Sequence, residues 1–401
     1  MAADPTFTSS TYEGKLFAEL MGPEVFDPAG LVDKELATGI DKMKFKETIL
    51  ENDDTVVFQT PSALFNDQGT QADTGEVNLE VVPFEFHKQI ELSTIRTSWL
   101  SENLAPGSME DYSSDEFVRL FLEKVYQPKW KQGASFLALN GKTGLDTSIG
   151  SITFSQAYAG LYPLLDAASG IRKNSLSGQG QLTIDGVTKG VVTTLTLAAG
   201  SAALSKLYVG NTISLRLLAG GQFTGLNVDV EILSVVSDTS IIVDFDSSSF
   251  TGSYTASSGR VRWINRYNVI SILSNHISRT LKEVRRAGGR IVVPQNVADE
   301  WQFAIADAKL GGGYAPITAE TLSLVGDRIT ILDNAPANTI GTWTRNRVFY
   351  GYDMSDDQAY IQMLWQGQTG NLVYNLRGRN KSGVAITQKF QREIMYTTPN
   401  S

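Results

Sequence analysis

From about Ser175 to Trp263 the chain has no proline, carries little charge and is dominated by Gly, Ser, Thr and Val. Within that block Leu182–Ile184, Val191–Leu197, Ile213–Leu218, Val228–Leu233, Ile241–Phe245 and Val261–Ile264 are short apolar runs rich in β-branched residues, separated by turn formers. Such residues fit a pleated, half-buried surface, and several of these runs at close spacing build a small sandwich or barrel. The flanking segments have helical patterning, so residues 176–263 are expected to form an all-β domain inserted into a different fold.

The flanks read as α+β. Residues 1–50 are a mixed arm, with small apolar anchors at Leu16–Met21 and Val25–Phe26. Ser113 and Glu116 make a capping box, and Phe117, Leu120, Phe121 and Val125 recur at helical spacing until Pro128. Ala134–Gly141 is a short apolar stretch ending in a turn, and 154–170 is a second helical segment. After the β block, Ile270, Leu273, Ile277, Leu281 and Val284 form the stripe of one long helix ending at Gly288-Gly289. A strand at Arg290–Pro294, a helix carrying Val297, Trp301, Ala304 and Ile305, and strand-like runs at Ile329–Leu332 and Arg347–Tyr350 complete the pattern.

Residues 51–100 differ in kind. Val56–Phe58, Val77–Val82 and Ile90–Ile95 read as strands, and Asn66–Gly75 as a polar, turn-rich tip. A long two-stranded hairpin follows, and because an isolated hairpin is marginal in water it must lie on something else. Between Glu51 and His87 there are eight carboxylates and no lysine or arginine. A run like this is either a solvated loop or an arm that docks on a basic partner; strand patterning on both flanks supports the arm. Its candidate contact residues are Asp53, Asp54, Asp67, Asp73, Glu76 and Glu80. Arg279, Lys282, Arg285, Arg286 and Arg290 cluster on or just after the long helix. They are either a solvated face opposite the apolar stripe or the surface that receives the acidic hairpin of a neighbouring copy. In the second case complementary charge sets register and steers association more than it adds affinity. Nucleic-acid binding is a third option, weakened because no aromatic residues interleave with these bases.

Little in the sequence supports catalysis, and no enzyme activity, metal or cofactor is expected. There is no cysteine, and the two histidines, His87 and His276, are far apart. No apolar run reaches the roughly 18 to 20 residues of a membrane helix, and the first residues lack the blocks of a signal peptide, so folding in a reducing cytoplasm is expected. A net charge of −9 argues against tight nonspecific nucleic-acid binding by the surface as a whole. Gly141-Lys-Thr-Gly144 lacks the glycine a phosphate loop needs five residues earlier, where Phe136 stands. Gly311–Tyr314 follows a helix instead of opening one. Asp229, Glu231, Asp238, Asp244 and Asp246 lack the ligand spacing of a calcium loop, and Asp229 and Glu231 read as solvent-facing strand positions. His276, on an apolar-rich helix, reads as a packed or edge histidine. The Asn380–Ser382 sequon reads as chance.

The order of these parts resembles the major capsid proteins of tailed double-stranded DNA phages with the Hong Kong 97-type fold. The resemblance is carried by Phe65–Thr70, Val81–Lys88 and Leu92–Trp99, similar to the limbs of that family's extended loop, and by Asp115–Val125, similar to its spine helix. Ala134–Gly141, Ile291–Gln295 and Asn334–Asn338 are similar to later elements of the same fold, the last two to its axial domain. The resemblance implies an N-terminal arm at 1–50, an extended hairpin loop at 51–100 and, at 101–175, the spine helix with the first part of a peripheral domain. The rest of that domain and the axial domain fall at 264–401. It implies a subunit of an icosahedral shell of hexamers and pentamers enclosing viral DNA. Its partners would be a separate scaffolding protein, a portal and, through the inserted β domain, a decoration or host protein. The shell would be assembled in the host cytoplasm. Family members that cross-link covalently do so through a lysine in the extended loop; residues 51–87 have none, so a non-covalent shell is expected. The alternatives are an encapsulin-like cellular compartment and, further off, an enzyme with a β accessory module.

Overall fold

Six antiparallel strands between Gln181 and Trp263 close on themselves into a barrel in this computed structural model. Around the barrel the order is Thr193–Leu197, Ser240–Val243, Asp229–Ser237, Thr212–Arg216, Gly259–Trp263 and Gln181–Thr188, which returns to the first. Closure leaves no unpaired strand edge, so a block this small gains a complete hydrogen-bond ladder. Ile184, Leu195, Leu197, Ile213, Leu215, Ile232, Ile241, Val243 and Val261 fill the interior. Each such side chain, fully buried, contributes about 1.5–3 kcal/mol. The alternation that identified the strands also sorts their faces: Val230 and Ile232 are buried while Glu231 is exposed. Asp229 is half-buried and bound to Arg216 at 2.7 Å.

The structure describes residues 10–13, 26–52, 74–91, 122–142, 146–149, 152–155, 158–176, 180–198, 206–237, 239–309, 323–324, 327–353, 360–368 and 371–400. The chain divides into two units, residues 1–164 with 346–390, and residues 165–345 with 391–401.

The second unit holds the barrel and a mixed sheet. The sheet order is Ser323–Leu324, Asp327–Leu332, Arg290–Pro294, Ile340–Trp343, Met395–Thr398 and Arg172–Ser175. Helices Val269–Arg279 and Gln295–Lys309 pack on it through Ile272, Leu273, Ile277, Val297, Ala298 and Trp301 against Ile291 and Val293. The expected single helix to Gly288-Gly289 is interrupted. Thr280 (ψ 135°) and Leu281 (ψ 137°) are extended, and a short helix resumes over Lys282–Arg286. The Thr280 hydroxyl donates to the His276 carbonyl at 2.9 Å, giving that backbone group a side-chain partner as the helix ends. The stripe also differs from the expected one: Ile270 is exposed, and Val269 and Ile272 are buried. The terminus itself is where the glycines put it, with Gly288 at φ 81° and Gly289 N–H bonded to the Val284 carbonyl.

Asn338 joins the barrel to this layer. It is fully buried and left-handed, at φ 58°. Its side-chain oxygen accepts from Ile264 N–H at 2.8 Å, and its Nδ2 donates to the Thr212 carbonyl at 3.2 Å and Ser214 Oγ at 3.0 Å. Arg216 and Arg262 of the barrel bond to Asn400 and to the Pro399 carbonyl.

The first unit is organised by the 16-residue strand Asn371–Ile386. It pairs with Tyr360–Gln368 along residues 371–379 and with Val348–Tyr352 along 382–386. Val82–Glu91 pairs along 373–382. Residues 373–379 thus have partners on both edges. Tyr360–Gln368 also pairs with Ser10–Glu13, and Val348–Tyr352 with Thr38–Ile40.

Pro128 does not end a helix here. A π-helical turn at Leu122–Tyr126 leads into a helix over Gln127–Asn140 with Pro128 in its first turn, where no amide hydrogen bond is lost. Residues 113–121 lie outside the described residues. Ala134–Asn140 is the last part of that helix, not a separate stretch, and Gly141 closes it. Gly160 backs onto this end so closely that a Cβ there would sit 2.6 Å from the Leu139 carbonyl carbon. Gly141 is therefore a helix stop in tight backbone contact; Thr143 and Gly144 lie outside the described residues. The expected helix over 154–170 is a strand, Ile152–Ser155, followed by a shorter helix, Leu161–Ala167.

Candidate subunit interface

Of the expected acidic hairpin the structure describes a stem, which starts earlier than the alternating sequence indicated. Thr74–Glu80 pairs antiparallel with Lys46–Asn52, in the register Lys46 opposite Glu80, Leu50 opposite Glu76 and Glu51 opposite Gly75. Val56–Phe58, Asp53, Asp54, Asp67 and Asp73 lie outside the described residues. Val77 and Leu79 turn inward onto Met43, Val81, Phe349 and Ala385. Glu76, Asn78 and Glu80 face outward and are exposed. Lys46 opposite Glu80 dilutes the charge of this face, and Phe45 and Leu50, 74% and 69% exposed, add apolar area beside it. The stem is thus amphipathic on its outer side as well as acidic.

Not every carboxylate of the run faces outward. Glu51 is buried, accepts from the Thr387 hydroxyl, and receives the N–H groups of Gln388 at 3.1 Å and Lys389 at 2.9 Å. It anchors the loop-side end of the described stem to the turn after Asn371–Ile386. Nothing local marks it, because its partners lie more than three hundred residues away. Glu51→Ala should cost about 2–4 kcal/mol, since two amides lose a charged acceptor. Chemical denaturation and faster hydrogen exchange at Gln388 and Lys389 would register it. Glu85 is bound by Arg377 of the adjacent strand at 2.8 Å, and that guanidinium holds its carboxyl below the usual range. His87, exposed on Val82–Glu91, lies 3.7 Å from Glu85.

The predicted basic cluster is split by the break at Thr280. Arg279 and Lys282 line one groove of about 620 Å³ together with Arg172, Lys173, Ser278, Thr280, Leu281, Glu283 and Met395. Arg286 is exposed on the following turn, and Arg285 and Arg290 are half-buried with interactions of their own. Arg172 and Lys173 belong to the edge strand Arg172–Ser175, and only the sheet brings them to Arg279. Arg172 Nη1 donates to the Arg279 carbonyl at 2.9 Å, and Arg279 Nη1 to Asn174 Oδ1 at 2.6 Å.

His276 is a packed residue. Fully buried, it has Nδ1 2.7 Å from Thr397 Oγ1 and Nε2 2.9 Å from Thr342 Oγ1, and burial pushes its pKa down to about 3. Asn380 is buried mid-strand with its side-chain oxygen accepting from Lys381 N–H, which leaves no room for a glycan. Among the described residues no group of three His, Asp or Glu side chains is placed to hold a metal ion. No described helix is long and apolar enough to cross a membrane.

No protein-family model and no curated protein matches the chain. Among solved structures it is similar to the satellite phage P4 procapsid that includes the size determination protein, at 9% identity and TM-score 0.49, with 96% of this chain and 91% of that one covered. It is similar to the capsid of a native GTA particle at 9% identity and TM-score 0.44, over 93% of this chain and 91% of that one. It is also similar to the capsid of Myoviridae phage XM1, at 9% identity and TM-score 0.42, over 92% and 91% of the two chains.

Proposed function

We propose that this chain is a structural subunit, without catalytic activity, that assembles with copies of itself into an icosahedral shell around a viral double-stranded DNA genome. The observation that carries it is the hairpin Lys46–Glu80. Its inner row, Val77 and Leu79, is buried, while its outer row exposes Leu50 beside Glu76 and Glu80, with Phe45 next to the stem. A ribbon with apolar and acidic groups on its open side is suited to lie on a second surface. The ordered resemblance to Hong Kong 97-type capsid proteins supports the same role.

In finer terms, the subunits form hexamers and pentamers, the barrel is a domain inserted into the Hong Kong 97-type fold, and the site of action is the virion capsid, assembled in the host cytoplasm. A scaffolding protein and a portal are the partners such assembly uses, and the barrel is the surface available to a decoration protein. The shell is non-covalent, since residues 51–87 offer no lysine for a cross-link. Asp53, Asp54, Asp67, Asp73, Glu76 and Glu80 are the side chains that meet a neighbour.

Negative-stain imaging of the purified protein tests this directly, with closed shells as the expected result. Asp67→Lys, Asp73→Lys and Glu76→Lys together should abolish shells while leaving the melting temperature of the free subunit within a few degrees. Normal shells from that variant would remove the electrostatic part of the proposal. Robust turnover of a substrate by the purified chain would remove the whole.

A further inference from the structure

Several cations in this chain of net charge −9 are matched by a carboxylate at close range. Arg216 has Asp229 at 2.7 Å, Arg377 has Glu85 at 2.8 Å, and Lys381 has Asp353 at 3.5 Å. Four others line the groove beside the Thr280 break. Among the described residues, Arg172, Lys173, Arg279 and Lys282 have no carboxylate within ion-pair distance. Three of them are held by neutral acceptors: the Arg279 carbonyl for Arg172, Asn174 for Arg279, and the Asp166 carbonyl for Lys173. Neutral acceptors fix the side chains without cancelling their charge. Glu283 is the one carboxylate in that lining, so four cations leave the groove net positive, and an arriving anion relieves their mutual repulsion.

The lining also limits what the anion is. No aromatic side chain lines the groove, so it offers no platform for stacking bases. Its volume of about 620 Å³ is that of a short extended peptide instead of a duplex. The half-buried side chain of Leu281 gives it a partly apolar wall. Residues 51–87 of every copy offer carboxylates with no lysine or arginine among them.

Resting on the shell reading above, we propose that this groove is the receptor for the acidic hairpin of a second copy, with Arg172 and Lys173 acting alongside Arg279 and Lys282. Arg285 and Arg290 stand outside it. The sequence cluster Arg279–Arg290 is thereby redrawn as a site built from two distant segments.

A charge exchange tests it on the full chain. Arg279→Glu with Lys282→Glu should cut the yield of shells at least about tenfold, as like charges now face each other. Asp67→Lys with Asp73→Lys in the same chain should restore it to within about threefold. Circular dichroism and thermal melting of the unassembled subunit control for folding, and Arg172→Gln, which keeps a hydrogen-bond donor, should lower yield without altering the melt. Shells formed normally by the Arg279→Glu, Lys282→Glu chain would overturn the proposal. So would a folded chain whose assembly the exchange fails to restore, and so would tighter binding of a DNA duplex than of a synthetic peptide spanning residues 51–75. If the wild-type chain forms no shells at all, it is the shell reading that fails, and binding of that peptide to the groove still decides this one.

Discussion

Lowering the pH from 7.5 to 5.0 should cost the unassembled subunit about 2 kcal/mol of stability through His276 alone. The imidazole is enclosed between Thr342 and Thr397, and burial lowers its pKa to about 3. In the unfolded chain the same group titrates near 6.5. Between those values the unfolded state binds a proton that the folded state refuses, so every unit of acidification favours unfolding by about 1.4 kcal/mol. The contribution is flat above about pH 7 and grows downward toward pH 3. His276→Gln retains a donor and an acceptor but cannot titrate. Urea denaturation of both chains at the two pH values gives the result as a difference, which cancels the carboxylates common to both. Equal pH dependence in the two chains would dispose of the assignment.

Asn338→Ala should destabilise the subunit by about 3–5 kcal/mol. Three losses combine there. The buried Ile264 N–H loses its acceptor, the Thr212 carbonyl and Ser214 hydroxyl lose a donor, and alanine is forced into φ 58°. Asn338→Gly isolates the last of these: it also lacks the amide but tolerates the dihedral, so it should be less damaging by about 1 kcal/mol. Because Asn338 bonds both the barrel and the segment after it, limited proteolysis should cut the barrel junction faster in either variant. A cost below about 1 kcal/mol for the alanine variant would mean that water replaces the amide at that site.

Different parts of the molecule were legible to different degrees. The barrel strands were readable because alternation of apolar and polar residues reports on the immediate neighbourhood of each residue. Val230, Glu231 and Ile232 show it directly. The helix at Gln295–Lys309 and the strand before it were readable for the same reason. Pro128 was misread because proline suits the first turn of a helix as well as the position after its end, and the residues that decide lie downstream. The break at Thr280 escaped because Leu281 and Val284 continue the apolar stripe across it, while the backbone of Thr280 and Leu281 is extended. Glu51 escaped because a carboxylate in an acidic run looks the same whether it meets water or three donors from residues 387–389.

Local pattern alone therefore determined that an all-β block lies within an α+β chain, that an acidic run free of lysine over 51–87 precedes it, and that His276 is a packed or edge residue. Tertiary structure alone decided that the block closes as a barrel, that the stem of the hairpin begins at Lys46, and that Arg172 and Lys173 stand beside Arg279 and Lys282. Secondary structure follows from contacts a few residues apart, which the order of side chains encodes directly. Strand closure brings Gln181 opposite Arg262, and anchoring and clustered charge join residues more than a hundred apart; such meetings are set by the sum of many small burial and hydrogen-bond terms over the whole fold.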